Sequence, residues 1–434
     1  VVPVGGTGPP VKVLAAMHSL NWEGAPRFEF ELLTRLKQAG AIDAEIVCPR
    51  DGPMRLAYEK KGIPIRIEGR LSGLSGQPKL FPDAISALAS VVKEGGYQVV
   101  HANTLEAFWA VLAARRAQVP AVWSIHESDP WQTYFDDWPP ALAADALESL
   151  SYAYRVVFSA TSSADRWRDL DTTGNYALAR FPLDVNRFQS ELAQSDRETA
   201  RNTLGLAPDD FCVLLLGTIC ERKGQHDLFH AFRNLPPEIA ARTTCLVVGY
   251  RDGIAYGRKL KDLVRSLPPE RRERFRVIDE TGATSPFWRA ADLFCCSSRV
   301  ESYPHVILEA MAAGLPIVTT PVFGIAEQVR PSVNGLFYEP GNGQKLAEHL
   351  ITLATDRELR TRFAEASPWV LRGLPRDRDV DVAYERIFRA AAESTPWPIA
   401  VNALKSERLR HHGHGENTPA RRPTSLVESP RRAN

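Results

Sequence analysis

The chain has 434 residues, 53 Lys+Arg against 52 Asp+Glu, and 44% hydrophobic residues. That length suffices for two or three domains with sizeable cores. A formal charge of +1 argues against a nucleic-acid protein held by counterion release, which needs a basic excess. The balance is uneven, because residues 405–434 carry seven Lys/Arg and three acids, a net +4. The longest charge-free apolar stretch, Ala310–Ala326, contains Gly314, Pro316, Pro321 and Gly324, and so reads as helix–turn–strand and not as a membrane span. Val1–Pro10 is Gly/Pro-rich and lacks the charged start and apolar centre of a secretory signal. The six cysteines show no CxxC spacing, which fits reduced core thiols in a cytoplasmic protein.

In chain order, β-rich runs alternate with amphipathic stretches. Val11–Met17, Ala44–Cys48, Ile63–Ile67, Gln98–His101, Ala121–Ile125 and Val156–Thr161 read as strands. Phe28–Ala39, Pro82–Glu94 and Leu105–Arg116 read as helices between them. Continuous apolar strands separated by helices imply a parallel sheet covered on both faces. Around Arg180–Arg201 the pattern gives way to a polar connector, in which Asp184 has a linker role.

The alternation then restarts. Phe211–Gly217, Thr244–Gly249, Phe275–Ile278, Ala291–Cys296, Pro316–Thr320 and Gly335–Phe337 form a second set of strands. Gln225–Asn234, Gly257–Leu267, His305–Ala313 and Asn342–Ala354 are its helices, and Asp381–Glu393 is a last one. The fold class is therefore α/β, with two doubly wound Rossmann-like halves facing across a cleft. The expected organisation is a flexible segment at 1–10, an N-terminal domain at 11–190 and a C-terminal domain at 191–375. A helical segment at 376–401 packs back toward the N-terminal domain, and a disordered basic tail occupies 402–434.

The stretch from Arg299 to Thr320 is the most informative. A strand runs into a loop holding Glu301, and a helix follows near Pro304, a first-turn position that suits proline. Glu309 stands eight residues after Glu301. Loop amides and a helix N-terminus make an anion site, and a carboxylate at each end can hold hydroxyls on either side of a bound diphosphate. Taken alone, the two glutamates would read as a helix-start acid and a solvated helix residue. Ala310-Met-Ala-Ala-Gly314 and the apolar strand after it make Glu309 look buried, and a buried carboxylate needs partners.

Glu301, Glu309, Met311, Gly314 and Pro316 match the Glu-x7-Glu and Ala-Met-Ala-x-Gly-x-Pro signature of GT-B glycosyltransferases, and Glu327 fits the acid after the next turn. The chain thus resembles the retaining enzymes of glycosyltransferase family 4, over about Val11 to Glu393. The resemblance implies that Glu309 holds the ribose hydroxyls and Glu301 the donor sugar. It further implies that the backbone around Tyr303, Pro304, His305 and Val306 meets the phosphate.

Arg222-Lys223-Gly224 lies in a loop between a strand and a helix, where two cations can neutralise a leaving diphosphate. By resemblance Lys223 is the diphosphate-binding lysine. Thr218 stands where the family often has an arginine, and Arg222 is the substitute. His126, after the strand Ala121–Ile125, matches the family's histidine facing the donor sugar, a contact to donor or acceptor hydroxyls. The loop Asn21–Pro26 carries one glycine, Gly24, where many members have two near the acceptor.

The expected activity is transfer of a sugar, with retention, from a nucleotide-sugar to a hydroxyl of a saccharide, lipid-linked or other glycoconjugate acceptor. The expected setting is polysaccharide or glycolipid biosynthesis. Neither metal nor other cofactor is expected, nor nucleic acid, while peripheral contact with the inner face of the membrane is. An epimerase or phosphorylase explains the glutamates and cations less well. A catalytically silent GT-B module is the alternative, kept alive by Thr218 and the single-glycine loop. Asp377, Asp379 and Asp381 read as solvated charge, and His411, His412 and His414 as part of a polar tail. Trp131, Tyr134, Phe135 and Trp138 stack on sugar rings, insert at a membrane interface, which their acidic neighbours disfavour, or cover the domain core.

Overall fold

The computed structural model describes residues 8–72 and 81–394. The expected flexible segment falls mostly outside these residues. The expected basic tail, with its three histidines, falls wholly outside them.

Among the described residues, seven parallel strands form the first sheet: β1 (Val11–Met17), β2 (Ile42–Cys48), β3 (Ile65–Ile67), β4 (Val99–Asn103), β5 (Ala121–Ile125), β6 (Arg155–Phe158) and β7 (Tyr176–Leu178), in the order β3-β2-β1-β4-β5-β6-β7. Six more form the second: β8 (Phe211–Leu216), β9 (Thr243–Tyr250), β10 (Phe275–Asp279), β11 (Leu293–Cys296), β12 (Ile317–Thr319) and β13 (Gly335–Phe337), in the order β10-β9-β8-β11-β12-β13. Helices cover both faces of each sheet, so alternate residues of one strand enter different cores. Val13 and Ala15 join one with Phe28 and Leu32, while Leu14 and Ala16 join another with Leu88 and Trp109.

Both sheets reverse their winding beside the first strand. β1 pairs with both β2 and β4, and β8 with both β9 and β11. Connections leave to opposite faces at such a point, which opens a crevice at the carboxyl ends of the strands. The loops after β1, β4, β8 and β11 are therefore the ones the topology marks for ligands.

The structure corrects several expectations. The stretch Arg180–Arg201 holds two helices, Val185–Leu192 and Arg197–Thr203, the first capped by Asp184, which accepts from Arg187 N at 3.0 Å. A further helix spans Arg357–Arg372, burying Phe363 and Val370. The strand expected to reach Thr161 ends at Phe158, and Thr161 starts a helix. Pro304 is the residue before the helix His305–Ala312 and not part of its first turn. Of the aromatic group, Phe135 is buried in the first core and Trp131, Tyr134 and Trp138 pack against it, so covering the core is their role. All six cysteines are free, and five of them are buried.

The helix Asp377–Glu393 lies on the first sheet. Val380, Tyr384, Phe388 and Ala391 repeat at helical spacing and share a core with Phe28, Leu32 and β1. Asp377 and Asp381 are not solvated: both face Arg35, at 3.3 and 2.9 Å. Asp379 stays exposed and accepts from Arg376 N. Beneath the helix, Glu29 lies 2.8 Å from His101 Nδ1, His101 Nε2 lies 2.9 Å from Ser124 Oγ, and Ser124 Oγ lies 2.8 Å from the Tyr384 hydroxyl. The order of groups is that of a hydrolytic relay, but all four residues are 0% exposed. Sealed from any substrate, the chain of polar groups fixes the helix to β4 and β5.

Candidate active site

The loop after β8 runs from Gly217 to Gly224 and ends in a single tight turn, Glu221–Lys223, closed by Gly224 at φ +65°. The loop after β11 carries Ser298, Glu301 and Ser302 to the helix at His305. The Glu301 carboxylate contacts Lys223 Nζ and lies 2.9 Å from Arg222 Nη1, and it accepts from Ser298 Oγ at 3.2 Å. Burial alone would raise this carboxyl, but Lys223 and Arg222 overcome it and hold the group below its ordinary range. Two cations around one carboxylate leave the cluster net positive, which suits a polyanionic ligand.

Glu309 stands apart from that cluster. It is half-buried on the helix His305–Ala312. Burial pushes its carboxyl up to about 7, against Arg27 and with Glu191 and Glu31. His305 also looks toward the first half, edge-on to Phe181 at 6.1 Å, and burial lowers it to about 4. The Tyr303 ring is buried in the core that includes β1, and Val306 packs into a core of the second half. The Pro304 carbonyl accepts from Gln328 Nε2 at 3.2 Å. Lys223, Arg222 and Glu301 therefore converge, whereas the side chains of Tyr303, His305 and Val306 do not join them.

On the other side, His126 follows β5. Its Nε2 is 2.5 Å from Asn103 Oδ1, and Asn103 Nδ2 donates to the Ala25 carbonyl at 3.2 Å. The second bond fixes the amide, so Nε2 must carry the hydrogen and Nδ1 is left as an acceptor. Burial pushes the ring down to about 3, helped by His101 and His18. His126 is thus a neutral acceptor, wedged against Phe181 at 4.5 Å and Phe28 at 6.0 Å.

The neutral state of His126 and His305 has a consequence for folding. Their ordinary value is 6.5, against about 3 and about 4 in the fold. At these two positions the unfolded chain binds more protons, so their contribution to stability falls as pH drops from 6.5 toward 4, while the raised carboxyls of Glu127, Glu309 and Asp377 act in the opposite sense. His126→Gln removes its share of that fall, as urea unfolding at a series of pH values will show.

Several neighbours carry no sequence motif. Thr104 follows β4 with φ +77°, a strained value for threonine, and its Oγ1 lies 3.2 Å from His18 Nδ1. The Glu127 carboxylate accepts from Leu105 N and His126 N, and burial raises it to about 7. Burial also raises Asp129, with Arg222 acting against it from across the cleft. Polar residues ending an apolar strand, His-Ala-Asn-Thr at 101–104, are the signal that would have found Asn103 and Thr104. Gly24 opens the helix Gly24–Gln38, and a Cβ there would meet nothing within 4 Å; no steric demand for glycine exists at that position.

The halves also meet through direct side-chain contacts. Glu327 accepts from Ser162 N at 3.0 Å and from Arg180 Nη2 at 2.6 Å, and Ser302 Oγ touches Ser159 Oγ.

Residues 22–173 match the family model for Glycosyltransferase Family 4, and residues 196–368 match that for Glycosyl transferases group 1. Over 344 residues the chain is 29% identical to a D-inositol 3-phosphate glycosyltransferase of Actinosynnema mirum, covering 74% of this chain and 81% of that one. The structure of Anabaena HepE in complex with UDP and glucose superposes with a TM-score of 0.72 at 20% identity, covering 88% of this chain and 100% of that one. Sucrose-phosphate synthase of Thermosynechococcus elongatus gives 0.75 at 17% identity, covering 88% and 98%.

Proposed function

Because the chain belongs to the GT-B glycosyltransferases of the family 4 type, we propose that its cleft moves a sugar from a nucleotide-sugar donor to a hydroxyl of a saccharide or glycoconjugate, with retention. The observation that carries this reading is the Lys223–Glu301–Arg222 cluster at the switch point of the second sheet, with His126 facing from the first half, where it is bonded to Asn103 at the end of β4. Family domains and named glycosyltransferase relatives favour an enzyme over the silent-module alternative. UDP is the donor nucleotide favoured by analogy with Anabaena HepE, whose complexes hold UDP and glucose.

In the proposed reaction the bond from the anomeric carbon to the diphosphate oxygen breaks, and the acceptor oxygen bonds to that carbon on the same face. The acceptor proton passes to the departing phosphate oxygen. Lys223 and Arg222 neutralise charge as it builds on the diphosphate, the main electrostatic demand of the step, so no bound metal is required in this scheme. Glu301, held ionised, accepts from donor-sugar hydroxyls. His126, neutral with a free acceptor nitrogen, takes a sugar hydroxyl on the opposite wall and does no acid–base work at neutral pH. Glu309 holds the ribose, and the loop bearing Gly24 lies on the acceptor side.

We assign the reaction to polysaccharide or glycolipid assembly on the cytoplasmic side of the membrane, with peripheral contact at its inner face. Among the described residues, no helix is long and apolar enough to cross a membrane.

Calorimetry with UDP, GDP and ADP tests the donor site: one nucleotide should bind saturably to the wild type. The proton coupling at the anomeric carbon of the product from UDP-glucose tests retention. Binding of none of the three would sink the donor assignment, and an inverted product would sink the front-face scheme.

Glu309 supplies a pH test of the same site. Burial pushes its carboxyl up to about 7, and the ionised form is the stronger acceptor for the ribose hydroxyls. Affinity for UDP-glucose, whose phosphates do not titrate near neutrality, should therefore rise as pH passes upward through that value. In Glu309→Gln the profile should be flat.

A further inference from the structure

Lys223 has a long, flexible side chain, and its ammonium serves the diphosphate only where its backbone is fixed. Four contacts do the fixing, and they involve residues to which the reaction scheme gives no part. Arg299 N donates to the Arg222 carbonyl at 2.7 Å, and Ser297 Oγ donates to the Lys223 carbonyl at 2.9 Å. Arg299 Nη2 donates to Asp227 Oδ1 at 2.8 Å, and the other oxygen of Asp227 accepts from Gly341 N at 2.8 Å. The guanidinium thus passes beneath the lysine loop and is pinned to the helix His226–Arg233 that follows it.

Gly224 shows how close the approach is. A Cβ there would lie 2.0 Å from Arg299 Nη1 and 2.2 Å from the Ser297 carbonyl oxygen. Only glycine admits the guanidinium at that distance, and glycine also accepts φ +65° without strain. Asp227 is 3% exposed, a burial that an ionised carboxylate tolerates only with such partners. Arg299 and Glu301 are two residues apart on the same loop. Whatever holds Arg299 against Arg222 therefore sets the separation of Lys223 from Glu301.

We propose that Arg299 and Asp227 are positioning residues for sugar transfer: they lock the Lys223 loop against the Glu301 loop, so that ammonium and carboxylate meet the donor in register. The inference rests on the donor reading above, and it adds that this register is set from beneath the site. A displacement of about 1 Å at such a site costs on the order of 10²-fold in rate.

The test compares Arg299→Gln, Arg299→Lys, Asp227→Asn and the double variant Asp227→Asn/Arg299→Gln. The readouts are melting temperature, hydrogen exchange of the amides at 222–224, and calorimetric affinity for UDP. Arg299→Gln should speed that exchange and weaken UDP about tenfold or more, as losing an orienting partner does elsewhere. Arg299→Lys, which keeps the ion pair but not the contact under Gly224, should fall between. Arg299→Gln should also lower the melting temperature, because it leaves the buried Asp227 carboxylate without its cation, and Asp227→Asn should lower it less, because the guanidinium it leaves unpaired reaches solvent. The double variant, with neither charge, should recover melting temperature but neither UDP affinity nor slow exchange. Recovery of all three together would reduce the pair to a stability element and overturn the proposal, as would wild-type exchange and affinity in Arg299→Gln. If the wild type binds no nucleotide, the donor reading fails, and the exchange measurement still decides whether Arg299 locks the loop.

Discussion

Lys223→Ala should lower the rate of UDP release from UDP-glucose by about 10² to 10³-fold, the usual cost of losing one group that stabilises developing charge. From the loop after β8 the lysine ammonium touches Glu301, and its side chain is the more buried of the two cations there. Arg222 also faces Glu301, at 2.9 Å, but its side chain is 45% exposed and spends part of its attraction on water. Arg222→Ala should therefore cost less than Lys223→Ala. Neither change should move the melting temperature far, since Glu301 keeps one cation and Ser298 in each case. An unimpaired Lys223→Ala enzyme would place the diphosphate elsewhere.

Tyr384→Ala should be the most damaging change to the fold away from the cleft. The ring is 0% exposed between the C-terminal helix and the first sheet, and its hydroxyl meets Ser124 Oγ. Truncating a buried aromatic ring costs about 3–5 kcal/mol, and the helix Asp377–Glu393 loses its central anchor. Tyr384→Phe removes only the hydroxyl and should cost about 1 kcal/mol. Urea unfolding ranks the two, and limited proteolysis between 373 and 394 shows whether the helix has detached. Equal costs for the two variants would mean that the polar chain to Glu29, and not ring packing, holds the helix.

These two expectations differ in where they could be read. The α/β architecture was open to a reading of apolar runs and helical spacing alone. Strands such as Val11–Met17, Ala121–Ile125 and Gly335–Phe337 have the bounds their composition suggests. β7 went unread, although it is an edge strand of the same length as β3 and β13. The helices Val185–Leu192 and Arg357–Arg372 escaped for a physical reason. Both are rich in charge, and their apolar stripes are narrow: Phe188 and Leu192 in one, Phe363 and Val370 in the other.

The chemistry divides in the same way. Glu301, Glu309 and Lys223 stand in motifs, so residue type and spacing were enough to single them out. What each can do was decided by folding. Asn103 gives His126 its tautomer from 23 positions away, and Arg222, 79 positions before Glu301, helps to keep that carboxylate ionised. Arg35 takes Asp381 out of solvent across 346 positions. Sequence by itself determined the layered fold, the order of its strands in the chain and the motif residues at their ends, because local periodicity and turn chemistry act over a few residues. Only the tertiary structure decided protonation, pairing and the register of Lys223 with Glu301, because those depend on burial and on distances between segments remote in the chain.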